Sequence, residues 1–101
     1  MNYELCKKLK DAGFTQDIES EWCYTPEGEH IFRYCGADFI VDCIEPTLSE
    51  LIEACGENFR FLTRNKKGKF KSFSWKEGQE YDVCDTPEEA VANLWLELNK
   101  R

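Results

Sequence analysis

The chain has 101 residues, 42% of them hydrophobic, 14% aromatic and 33% charged, with a formal net charge of −7. That length fits a single domain, since second domains seldom fit below ~150 residues, and the apolar share is enough for one core rather than a disordered chain. No apolar run approaches the ~20 residues of a membrane span, and MNYELCKKLKDAG lacks the unbroken apolar stretch of a signal peptide, so a cytoplasmic protein that touches no membrane is expected.

Asn2 is placed to cap a first helix on which Leu5, Leu9 and Ala12 share a face. Gly13 and Phe14 then read as a Schellman stop, with Phe14 folded back on Leu9. The polar TQDIES leads to EWCYT, and PEGE reads as a turn with Pro26 at its first corner. HIFRYC and FIVDCI follow as strands separated by GAD, and Pro46 closes this half. Thr47 and Glu50 have the spacing of a capping box, in which each side chain accepts from the other's main-chain amide. Behind that cap, Leu48, Leu51, Ile52 and Cys55 form one helix face, and Gly56 stops it.

FRFLTRN, the turn KKGK and FKSFSWK read as a β-hairpin. Strict alternation would put Phe59 and Phe61 on one face of the first strand, and Phe73 and Trp75 on one face of the second. EGQEYDVC is irregular or a short edge strand. The last helix has Thr86 as its cap, Pro87 at the first helical position, and Glu88 and Glu89 at the positive end of the dipole. Val91, Leu94, Trp95 and Leu98 make its apolar stripe, with Lys100 and Arg101 at the negative end. The Thr-x-x-Glu that occurs twice, at Thr47 and Thr86, is therefore helix-start grammar and not a catalytic pair. Together these elements predict an α+β fold over 1–101: an antiparallel sheet of about four to five strands with three helices, the C-terminal helix packed on the sheet.

Six cysteines stand at 6, 23, 35, 43, 55 and 84. Several fall within apolar patterns and no export signal precedes them, so they read as reduced core residues. There is no Cys-x-x-Cys, the nearest cysteine spacing is Cys35 to Cys43, and the single histidine, His30, has no close cysteine partner, so no metal site is expected. No phosphate-binding glycine motif and no nucleophile–base arrangement stands out. The expectation is a protein without cofactor and without enzymatic activity.

YELCKKLKDAGF, PTLSELIEACG, a later tryptophan and TPEEAVANLWLELNK together resemble a family of small proteins encoded in phages and prophages of diverse bacteria. The matching blocks cover about half the chain and consist of caps, stripes and stops. The resemblance implies a mobile-element setting inside a bacterial cell; it carries no catalytic residue.

Charge is the feature with functional texture. From Asp11 to Glu57 twelve acidic residues face one base, Arg33; from Arg60 to Lys76 seven basic residues face no acid; from Glu77 to Leu98 seven carboxylates face no base. Two surfaces follow. One is an acidic face including Glu50, Glu53 and Glu57, suited to a basic protein and, given the resemblance, to a host protein. The other is the basic hairpin 60–76, where Arg64, Lys66, Lys67, Lys69 and Lys71, with Phe70 among them, could hold a ligand or nucleic acid. The plain account of those lysines is protection of a hairpin tip and edge strand from other sheets. Overall acidity repels polyanions at long range, so the sequence favours protein capture through the acidic surface over nucleic acid. Exposed hairpin aromatics would equally suit a dimer face.

Overall fold

A computed structural model describes residues 1–16, 20–32, 41–74 and 83–99, and its backbone divides into two units, 1–47 and 48–101. The described residues hold three α-helices and two antiparallel sheets, an α+β arrangement.

In the first unit, helix α1 (Tyr3–Asp11) begins where the Asn2 side chain accepts the Leu5 amide at 2.8 Å. It ends in the expected Schellman pattern: the Phe14 amide donates to the Leu9 carbonyl at 2.9 Å and the Gly13 amide to that of Lys10 at 3.0 Å. Leu9 and Phe14 are both buried. Strands β1 (Trp22–Tyr24), β2 (His30–Phe32) and β3 (Cys43–Ile44) form an antiparallel sheet in the order β2-β1-β3. The pairs Trp22–Phe32, Tyr24–His30 and Tyr24–Cys43 put these five side chains on one face. Cys6 of α1 joins Tyr24 and Cys43 there, with Met1 and Tyr3 packed against the cluster, and its thiol donates to the Ile44 carbonyl at 3.3 Å.

In the second unit, helix α2 (Leu48–Cys55) starts directly after Thr47 and buries Leu51 and Cys55. A 3-10 turn (Gly56–Asn58) leads into β4 (Phe59–Arg64), which pairs antiparallel with β5 (Phe70–Ser74). Helix α3 (Pro87–Leu98) opens as expected, with Pro87 in its first turn and the Thr86 hydroxyl accepting the Glu89 amide at 3.2 Å. It packs on both α2 and β5. That double cover explains why its buried surface is wider than the stripe in the sequence: Ala90 and Ala92 are buried beside Val91, Leu94 and Trp95. The small residues allow close approach, and on the β5 side the buried Ser72 hydroxyl donates to the Ala90 carbonyl at 2.7 Å. On its other edge β5 meets Cys84, whose amide and carbonyl each bond to Phe70 at 2.8 Å.

The sheet expected as one is therefore two, of three strands and two strands. Strand β3 is only two residues long, and Pro46 and α2 separate it from β4, so the hairpin pairs with itself and finds its apolar cover in α3. The expected placements of Trp75, Lys100 and Arg101, and the stretches 33–40 and 77–82, lie outside the described residues.

Candidate binding surface

Hairpin β4–β5 turns through Asn65, Lys66, Lys67 and Gly68. The Gly68 amide donates to the Asn65 carbonyl at 3.1 Å, and Gly68 has φ of +78°, a conformation few other residues adopt. The Asn65 side-chain oxygen accepts from the Lys67 and Lys69 amides, each at 2.9 Å. The turn therefore needs Asn65 and Gly68, and none of these bonds uses the side chains of the exposed Lys66 and Lys67 at its corners.

Register decides what the hairpin shows to solvent. Phe61 stands opposite Phe73, but Phe59 stands opposite Ser74, so Arg60 is an extra residue in β4, a β-bulge. Because one extra residue flips the side chains that follow, Phe59 and Phe61 point to opposite faces. The alternation expected from sequence, which put them together, fails at this bulge. Phe59, Leu62 and Arg64 share the face of Phe70, Ser72 and Ser74, the face on which Ser72 meets α3. Phe61 and Thr63 share the outer face with Lys71 and Phe73.

On that outer face Phe61 and Phe73 stack at 4.5 Å between centroids, their planes 26° apart. The Arg60 guanidinium lies 5.1 Å from the Phe61 centroid, and the Lys71 ammonium 5.4 Å from that of Phe73. Phe61 is 38% exposed. Arginine, two rings and lysine thus make one amphipathic strip. The five cations singled out in the sequence divide accordingly: Lys71 lies in the strip, Lys66 and Lys67 at the exposed tip. Lys69 is ion-paired with Asp85, and Arg64 is on the α3 side, its guanidinium 6.0 Å from the Phe70 centroid. Phe70, the aromatic noted among the lysines, is on that inner side as well, held by its bonds to Cys84. Phe61 and Phe73 meet because the turn sets the register of the ladder, and the bulge beyond that pair supplies Arg60 next to Phe61.

The acidic candidates lie on the other side of the chain's charge division. Glu50, Glu53 and Glu57 recur along α2 and the 3-10 turn after it; Glu53 and Glu57 are exposed and Glu50 is half-buried.

The first unit carries its polar groups in bonded networks. Asp42 accepts from the Tyr3 hydroxyl and from Lys10, which hold its carboxyl below the usual range, while the same bond pushes the Tyr3 phenol up to about 12. The Glu45 carboxylate lies 2.8 Å from the Tyr24 hydroxyl and 3.3 Å from His30 Nε2. The His30 ring stacks on Trp22 at 4.8 Å and on Tyr24 at 4.7 Å. His30 thus has a carboxylate and two aromatic rings as neighbours.

Five cysteines (6, 23, 43, 55 and 84) are free thiols, and Cys35 lies outside the described residues. Burial pushes the Cys55 thiol up to about 11 and raises Cys6 and Cys43 as well. A thiol held neutral at pH 7 serves poorly as a nucleophile or a metal ligand. Among the described residues no three His, Cys, Asp or Glu side chains gather as a metal site requires, and no helix is long and apolar enough to cross a membrane. In comparisons with known proteins, no family model, no curated protein and no solved structure matches the chain.

Proposed function

We propose that this is a non-enzymatic binding protein that captures an anionic polymer on the outer face and tip of hairpin β4–β5. The observation that carries the reading is the strip Arg60–Phe61–Phe73–Lys71, an exposed Phe61 stacked on a half-buried Phe73 and bracketed by cations, continuing to Lys66 and Lys67 at the tip. The objection from overall acidity weakens once charge is assigned by unit. Residues 1–47 hold ten acids and four bases, a net of −6; residues 48–101 hold ten acids and nine bases, a net of −1. The unit that bears the hairpin is nearly neutral, and at physiological salt charges more than ~8 Å away are largely screened. The resemblance of two helix blocks to phage-encoded proteins fits an intracellular partner in a bacterial host. The test is retention on immobilised heparin, a polyanion without bases, at about 50 mM salt. Lys66→Gln, Lys67→Gln and Lys71→Gln combined should elute earlier; a wild-type protein that is not retained removes the reading.

A second reading keeps the acidic surface as the recognition site for a basic protein. It is favoured by the exposed Glu53 and Glu57 on an element whose last helical turn has no base. Binding of a labelled oligolysine peptide that is lost in Glu53→Lys with Glu57→Lys, and kept in the hairpin variant, would support it over the first.

A further inference from the structure

We propose that the polymer held by the hairpin is single-stranded nucleic acid, with a base stacked on Phe61; this rests on the anion-binding reading above. Four observations on one face support it. Phe61 is 38% exposed although it is stacked on Phe73, so part of an aromatic side chain remains accessible from solvent. The Arg60 guanidinium lies over the Phe61 ring and the Lys71 ammonium over that of Phe73, so a base reaching the Phe61 face takes the place of the exposed Arg60 side chain, which then meets a flanking phosphate. Lys66 and Lys67 extend the positive track to the tip, in line with β4 and β5. Finally, Lys69 is ion-paired with Asp85 and Arg64 lies on the opposite face of the hairpin beside Phe70, so the cations on the outer side are those of the strip and tip.

The chemistry selects among anionic polymers. An acidic peptide or a sulfated sugar offers charge but no flat π-face, so it would use the cations and leave Phe61 idle. A duplex offers phosphates, but its base faces are covered by neighbouring pairs and cannot reach a ring on a strand surface. An unpaired strand offers both, and stacking on aromatic side chains beside a basic track is how sequence-tolerant single-strand binding works. The preference would be weak among bases, because every base has a π-face.

The experiment compares three labelled probes of about 12 nucleotides by fluorescence anisotropy at about 50 mM salt: an oligothymidine, an abasic phosphodiester of the same length and charge, and a duplex. Oligothymidine should bind about 5- to 150-fold tighter than the abasic strand, the range expected for one stacked base. Phe61→Leu should erase that difference and leave abasic binding in place, while Phe61→Tyr, which keeps the ring, should retain it. Log affinity for oligothymidine should fall with log salt with a slope of about −2 to −3, for three or four phosphate contacts at ~0.7 each, and Lys66→Gln with Lys67→Gln should flatten it by about 1.4. Equal affinity for the base-bearing and abasic strands, tighter duplex binding, or an unchanged preference in Phe61→Leu would overturn the nucleic-acid inference and leave the anion-binding reading standing. Failure to bind any of the three probes would overturn both.

Discussion

The contact that joins hairpin to helix in the second unit is the one most open to measurement. Ser72 is 1% exposed, and its hydroxyl donates to the Ala90 carbonyl at 2.7 Å. Ser72→Ala removes the donor, but the carbonyl keeps its place as an acceptor within α3, so no buried group is orphaned. The loss should therefore be one ordinary net hydrogen bond, about 1 kcal/mol, and not the larger penalty of an unsatisfied partner. In a chain of this size that is a fall of roughly 4–8 °C in Tm. Ser72→Val tests the neighbouring claim, that Ala90 is small because strand and helix approach closely. Its added bulk should cost about 1–3 kcal/mol by overpacking, more than the alanine variant. Urea melts monitored by far-UV circular dichroism give both numbers. If Ser72→Ala is as stable as the wild type, the hydroxyl is not holding the helix; if Ser72→Val is no worse than Ser72→Ala, the interface is looser than the 2.7 Å contact implies.

Thr86→Ala should lower stability by about 1 kcal/mol and Thr86→Ser by little, and equal losses in melts would refute the cap at the start of α3. Tyr3→Phe should bring the Asp42 carboxyl back toward its ordinary range, read by NMR titration. Because that carboxyl is lowered in the folded protein, its contribution to stability is present above the ordinary carboxylate range and is lost as pH falls through the folded value, so the variant should lose less on acidification. The Tyr3 phenol runs the other way: raised to about 12, it should make wild-type stability decline from about pH 10 to about pH 12, a decline absent in the variant. Iodoacetamide at pH 8 should alkylate the half-buried Cys84 before Cys6, Cys43 and Cys55, whose thiols burial keeps neutral; labelling of Cys55 at the rate of Cys84, followed by peptide mass mapping, would contradict this. Lys66→Pro with Lys67→Glu should keep the fold, since Pro26 and Glu27 occupy the same corners of the other turn, and should weaken heparin retention; loss of the folded signal would show that the lysines have a structural part.

Local chemistry was legible in the sequence wherever a single turn of chain decided it. Asn2, Thr86 and Pro87 mark helix starts because unpaired amides at a helix terminus demand an acceptor or a missing donor, and both needs are met within four residues. The Gly13–Phe14 stop is equally local. What could not be read was pairing at a distance. Nothing in FRFLTRN announces the bulge at Arg60, because a bulge is a property of two strands in register, and it overturned the alternation that had placed Phe59 beside Phe61. The division into two sheets was hidden for the same reason: strand-like runs do not say which edge each will meet. The candidate surface inherits this split. Its lysines were visible as a charge run, but its rings became a site only through the register.

The two hairpins supply a comparison that bears on what the lysines are for. In the first unit the turn Thr25–Pro26–Glu27–Gly28 closes with the Gly28 amide on the Thr25 carbonyl at 2.9 Å, and Gly28 has φ of +84°. The Thr25 hydroxyl accepts the Glu29 amide at 3.1 Å, as the Asn65 side chain accepts that of Lys69. The frame is the same at both places, an accepting side chain at the first position and glycine at the fourth, yet the corners are Pro-Glu in one and Lys-Lys in the other. Turn geometry therefore does not call for lysine. β5 is flanked by β4 on one side and bonded to Cys84 at Phe70 on the other, and the bases of β4 are Arg60 and Arg64. Lys66 and Lys67 are at the tip and Lys71 is on β5. The turn thus makes no demand on the Lys66 and Lys67 side chains, and replacing them tests surface chemistry apart from folding.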